Sequence, residues 1–135
     1  MVDGVLARTV AALEAAGVAD EALGVLVPAR RFRGEVIKPA GRAWRLGALL
    51  LARDGTLYAT GEVTRAVEPL RGVANKSPDA EARRERRRAA VRGRFADGEV
   101  VNFGYTRLDS APETVGIVPL EVYLSERVAL HIEQL

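Results

Sequence analysis

The chain has 135 residues and a mass of 14.5 kDa, room for one ordinary domain and not for two full-sized ones, and its 48% hydrophobic content supplies a core. Twenty basic and eighteen acidic residues leave a net charge of +2 beside a pI near 9.4, a globular composition that is neither disordered nor supercharged. Cysteine is absent, which excludes disulfides, thiolate nucleophiles, iron–sulfur ligation and zinc sites that need sulfur.

The first eight residues, Met1 to Arg8, carry an acid where a secretion signal is basic. The longest central apolar run, Leu46 to Ala52, spans seven residues between Arg45 and Arg53, whereas a membrane helix needs about twenty. A soluble chain in the reducing cytoplasm, with no membrane partner, is therefore the expectation.

Val2, Val5, Leu6, Thr9, Leu13 and Ala16 fall at intervals of three and four, predicting an amphipathic helix from about Asp3 to Ala16 that closes at Gly17. Gly24 to Pro28 allows a short strand. Ala29 to Gly41 holds Arg30, Arg31, Arg33 and Lys38 against only Glu35. Phe32–Val36 could be extended, but Gly34, Pro39 and Gly41 argue for an exposed, irregular, basic segment.

Ala43–Arg53, Asp54-Gly55 and Thr56–Thr60 predict an antiparallel hairpin closed by a two-residue type I′ turn. That closure pairs Arg53 with Thr56, Ala52 with Leu57, Leu51 with Tyr58 and Leu50 with Ala59. Both faces of the first strand are apolar at its centre, which calls for cover on both sides, or on one side with an oligomer on the other. Gly61–Val67 extends the sheet after a bend at Gly61.

Pro69–Ser77 interrupts the pattern, and a helix follows from Ala80 to Phe95, capped by Ser77 or Asp79 with Pro78 in its first turn. Arg83, Arg84, Arg86, Arg87, Arg88, Arg92 and Arg94 occupy nearly its whole circumference. With no broad apolar stripe, it is expected to project or lie along an edge, held by Val91, Phe95 and alanines. Glu81 with Arg84 and Glu85 with Arg88 are spaced to relieve repulsion.

Glu99–Arg107 reads as a strand curved at Gly104, and the apolar run Val115–Leu124 is divided by Pro119. Residues 125–135 fit two periods. Val128, Leu130 and Ile132 alternate as in a strand, while Leu124, Val128, Ile132 and Leu135 share helical spacing; the alternation favours a strand.

Charge sums to +3 over residues 1–76, +4 over 77–96 and −5 over 97–135. Eighteen of the twenty basic residues are Arg, and Ala occurs twenty-two times, so arginine abundance alone reflects a uniform bias and position matters more. No dinucleotide fingerprint or phosphate loop is present, and the sequence implies no cofactor and no metal. His131, the single histidine, reads as structural or solvent-facing, and the carboxylate pairs Asp109/Glu113 and Glu121/Glu126 as solvated.

The expected fold is one α+β domain over residues 1–135. It has a mainly antiparallel, curved sheet of about five or six strands, an N-terminal helix and an inserted Arg-rich helix. The candidate partner-binding residues are Arg83, Arg84, Arg87, Arg88 and Arg92 with Arg30, Arg31, Arg33 and Lys38. The favoured function is a non-catalytic protein-interaction or self-association module in which Arg84, Arg87 and Arg88 meet acidic groups of a protein or a second copy. Nucleic-acid binding through the same surface is the alternative; Trp44, Phe103 or Tyr105 could stack bases, although all three have better packing explanations. A small-ligand binder or enzyme with a helix–sheet pocket that uses His131 or the tyrosines is the third reading.

Overall fold

A computed structural model describes residues 2–70 and 77–135. In chain order its elements are α1 (Val2–Ala15), β1 (Glu21–Val27), β2 (Val36–Leu46), β3 (Leu49–Leu51), β4 (Leu57–Ala59) and β5 (Glu62–Arg65). They continue with α2 (Pro78–Arg92), β6 (Val100–Phe103), β7 (Thr106–Arg107), β8 (Thr114–Val115), β9 (Val118–Pro119) and α3 (Leu120–Glu133). The chain gathers into two compact units: a first of Met1–Asp20, Ala43–Thr60 and Tyr105–Leu135, and a second of Glu21–Arg42 and Gly61–Gly104. Most of the expected interruption at 69–77 lies outside the described residues.

In the first unit, the apolar stripe of α1 places Leu6, Val10 and Leu13 against Trp44, Leu46, Leu49, Leu51, Leu57, Leu120, Tyr123 and Leu124. The helix closes as a Schellman motif: the amide of Gly17 donates to Glu14 O and that of Val18 to Leu13 O, both at 3.1 Å. Val18 and Leu13 are both buried, which supplies the apolar contact of that motif. Trp44 Nε1 donates to Val18 O at 2.9 Å, satisfying the indole inside the core.

The hairpin differs from the sequence expectation in two places. Gly47 divides the expected strand 43–53 into β2 and β3, which pair antiparallel with Leu46 opposite Leu49. Its φ of +65° at the first central position, followed by Ala48 at negative φ, has the form of a type II′ turn. The expected two-residue closure at Asp54-Gly55 is replaced by a three-residue loop in which Ala52 N–H donates to Thr56 O at 3.0 Å. Gly55 takes a φ of +90° there, and the extra residue moves the register by one, so that Leu51 faces Leu57 and Leu50 faces Tyr58. The Thr56 amide donates to Asp54 Oδ1 at 2.9 Å and thereby holds the Asp54 carboxyl below its usual range.

The C-terminal segment is helix α3, which corrects the expected strand. Leu120, Tyr123 and Leu124 are buried and Val128 packs against the same core, a spacing only a helix can use. Leu130 and Ile132, the alternating residues that favoured a strand, remain 45% and 44% exposed.

In the second unit, β6 pairs with β1 in parallel and with β5 antiparallel. The small core joins Ala22, Ile37, Ala66, Ala89, Ala90, Val101 and Phe103, with Leu26 and Phe95 partly buried beside them. Alanines let α2 lie close: a Cβ on Gly93, just past the helix, would stand 1.8 Å from Ile37 O. Asn102, 1% exposed, donates through Nδ2 to Glu21 at 2.9 Å and to Ala22 O at 3.2 Å, so its buried amide is satisfied.

Hydrogen bonding orders seven strands as β5-β6-β1-β2-β3-β4-β7 and pairs β8 with β9 separately. The expectation of a curved, mainly antiparallel sheet of five or six strands is corrected to a mixed α+β arrangement whose order is open, with β5 and β7 at its two ends. The count rises because glycines cut two expected strands: Gly47 separates β2 from β3, and Gly104, at φ +66°, separates β6 from β7. The sheet is mixed because β1 and β6 run parallel.

Candidate functional site

The two units differ in charge. The second holds fifteen basic and nine acidic residues, a net +6, and the first holds five and nine, a net −4. All nine candidate residues belong to the second unit: Arg30, Arg31, Arg33 and Lys38 before and on β2, and Arg83, Arg84, Arg87, Arg88 and Arg92 on α2.

The connection from β1 to β2 closes on a tight turn. Arg30 N–H donates to Arg33 O and Arg33 N–H to Arg30 O, both at 2.9 Å, leaving Arg31 and Phe32 at the tip. Phe32 adopts a φ of +66° and is 97% exposed. The Arg31 guanidinium lies 5.2 Å from the Phe32 ring centroid, a cation–π contact. Arg33 donates to Pro28 O at 3.1 Å. Among the described residues none of Arg30, Arg31, Arg33 and Lys38 has a carboxylate partner.

Helix α2 is started by the Ser77 hydroxyl, which accepts from Ala80 N–H at 3.2 Å, with Pro78 at the first helical position. It is fastened by Ala80, Ala89 and Ala90, all buried, with Val91 and Phe95 only partly covered. Its arginines then divide. Arg84 and Arg88 donate to Glu81 at 2.9 and 3.2 Å. Arg88 also reaches Glu85 at 3.4 Å, and Arg92 reaches it at 2.8 Å. Hydrogen bonding from Arg88, then Arg84, holds the Glu81 carboxyl low, bonding from Arg92 does the same at Glu85, and Glu81 in turn raises Arg88.

Arg86 points inward. It pairs with Glu35 and stands 5.9 Å from the Phe103 ring, while its buried Nε has no partner among the described residues. Arg92 also donates to Glu35 O at 2.8 Å, so the basic turn segment and α2 meet at Glu35. Arg83 and Arg87 are exposed and, among the described residues, have no carboxylate partner. Of the three arginines expected to lead partner contact, Arg84 and Arg88 thus rest on the helix's own glutamates and Arg87 faces solvent.

Trp44, Phe103 and Tyr105 follow the packing explanation and not the stacking one. Trp44 and Phe103 are 1% and 2% exposed, and Tyr105 packs edge-on against Tyr58 at 5.0 Å. Burial, with the nearby Tyr58, pushes the Tyr105 phenol up. Phe32 is the exposed aromatic, and it lies in the segment whose Gly34, Pro39 and Gly41 predict an exposed, irregular course. Its signal was an aromatic set among three arginines between Pro28 and Gly34.

His131, on α3, lies with Nε2 2.9 Å from Arg45 O, a position to donate to that strand carbonyl. Glu121 faces Arg8 at 3.8 Å. No group of three metal-ligating side chains occurs among the described residues. A cleft of about 470 Å³ in the first unit is lined by Leu6, Val10, Glu14, Arg53 and Asp54 among others, and neither His131 nor a tyrosine lines it. Arg53 occupies its rim, paired with Glu14 at 3.4 Å and with Asp20, and stacked 4.5 Å over Trp44. No described helix is long and apolar enough to cross a membrane. No family model, curated protein or solved structure matches the chain.

Proposed function

We propose that this protein is a nucleic-acid-binding module that holds the phosphate backbone on its second unit. The observation that carries the reading is the uncompensated part of the +6 charge: Arg30, Arg31, Lys38, Arg83 and Arg87 are exposed and lack carboxylate partners among the described residues. A polyanion rewards several cations of one sign by releasing its condensed counterions. Guanidinium groups, with five donors in a planar fork, suit phosphate oxygens. The contacts so supplied fix the backbone and carry no base sequence.

The test is fluorescence anisotropy with labelled oligonucleotides of about 20 nucleotides, single-stranded and duplex, at about 50 to 200 mM salt. Binding that weakens with salt and falls at least roughly tenfold in R30E/R31E/R83E/R87E is expected. An absence of binding at the lowest salt contradicts the reading.

The second reading, a protein-interaction or self-association module, is favoured by the opposite net charges of the two units, +6 and −4, which suit a head-to-tail contact between copies. Sedimentation equilibrium distinguishes it. A concentration-dependent mass above 14.5 kDa that returns to the monomer value in high salt supports it. A monomer at every concentration contradicts self-association.

A further inference from the structure

We propose that Phe32 is a base-stacking platform and that the nucleic acid held by the second unit is single-stranded; this rests on the reading given above. Three observations converge on the tip of one turn. Phe32 is 97% exposed, so its ring has no packing role. Its φ of +66° is a left-handed conformation that glycine or asparagine fills with less strain, yet an aromatic stands there. Arg30, Arg31 and Arg33 surround it on a backbone locked by two reciprocal hydrogen bonds of 2.9 Å.

Stacking explains the combination. Every base offers a π-face to an exposed ring, and a cation beside that ring meets the adjoining phosphate. Arg31, 5.2 Å from the ring centroid, is placed to hold the ring on one side and a phosphate on the other. In a duplex the bases are stacked on each other and show a single projecting ring no face, so the duplex meets only the arginines. Preference for a single strand therefore depends on Phe32, and the general affinity for phosphate does not.

The experiment compares wild type, F32A, F32L and F32W on a poly-dT strand and on a duplex of equal length by fluorescence anisotropy, with circular dichroism as the control for folding. The side chain is solvent-exposed, so all four fold. F32A and F32L are expected to bind the single strand about tenfold more weakly, with the salt dependence and the duplex affinity unchanged because no charge has moved. F32W retains the single-strand affinity, and its indole emission is quenched when a base stacks on it. Trp44, the natural tryptophan, is buried and serves as a constant background. Equal single-strand affinity in F32A and wild type overturns the stacking role and leaves the electrostatic reading standing. Failure of wild type to bind any nucleic acid overturns both. Binding to anionic phosphatidylglycerol vesicles that depends on Phe32, with no such dependence on poly-dT, also overturns it, and assigns the ring to a membrane surface.

Discussion

Phe32 and Gly47 both take positive φ, +66° and +65°, and the comparison separates a conformation kept for folding from one that folding does not need. At Gly47 the geometry is required twice. The turn between β2 and β3 demands it, and an added Cβ would stand 2.1 Å from Tyr123 Oη. That hydroxyl accepts from Ala48 N–H at 2.8 Å and donates to Leu46 O at 3.0 Å, fastening α3 to the turn. Gly47→Ala is expected to destabilise the protein by more than about 2 kcal/mol, combining left-handed strain with displacement of that hydroxyl. Tyr123→Phe should cost about 1 to 3 kcal/mol, since it leaves a partly buried amide and carbonyl without partners. Chemical denaturation checks both, and a Gly47→Ala variant as stable as wild type would show that the turn is not held as described. At Phe32 the sign reverses. Phe32→Asn is expected to stabilise the fold by about 0.5 to 1 kcal/mol, because asparagine tolerates the left-handed region and no buried area is lost. A destabilised Phe32→Asn would mean that the ring has a packing role.

Among the elements, α2 has the most readable start and the least readable surface. Ser77, Pro78 and the alanine-rich run predict its beginning, and the Ser77 hydroxyl does cap it. Ser77→Ala is therefore expected to cost about 1 kcal/mol of stability, measured by denaturant unfolding followed by circular dichroism. The division of its arginines between a glutamate ladder and solvent was only half legible. The spacing gave the pairs Glu81–Arg84 and Glu85–Arg88, but the second bonds, Arg88 to Glu81 and Arg92 to Glu85, depend on rotamers that spacing does not set. Both carboxyls lie below their ordinary value of 4.5, Glu81 chiefly through Arg88 and Glu85 chiefly through Arg92. A lowered carboxyl contributes its stability above the unfolded value and loses it as pH falls through the folded one. Wild type should accordingly exceed E81Q/E85Q in thermal stability at neutral pH, by a small margin because solvent screens the pairs, and the margin should shrink and then vanish as pH falls through the lowered carboxyl values. A margin that persists in acid would place its origin outside the ladder. Helix α3 illustrates the opposite failure of legibility. The alternation of Val128, Leu130 and Ile132 was real, but Leu120, Tyr123 and Leu124 decided the outcome by packing into the core of the first unit. Periodicity over a short stretch cannot register that competition.

For the whole molecule, the charge pattern became informative only after folding. Sums along the chain give +3, +4 and −5 over successive stretches, whereas the units, each assembled from separated segments, carry −4 and +6. The existence of a hairpin around Asp54-Gly55, though not its loop length or register, α1 and the capped start of α2 were legible because local chemistry sets them. The parallel pairing of β1 with β6 was not, because its partners lie about eighty residues apart, with Ala22 opposite Val101. A separation of 51 and 57 residues likewise hid the meeting of the basic turn with α2 at Glu35, which joins two stretches of the sequence into one candidate surface.

The central claim is that second-unit arginines with no carboxylate partner among the described residues bind a polyanion. Its most direct test is the slope of log affinity against log salt for a single-stranded oligonucleotide, in wild type and in R30E/R31E/R83E/R87E. The account predicts a negative slope of about 0.7 per phosphate contacted, near −3 in wild type if four or five cations engage, and a much shallower one in the variant. A wild-type affinity independent of salt, or a slope identical in the two proteins, would contradict it.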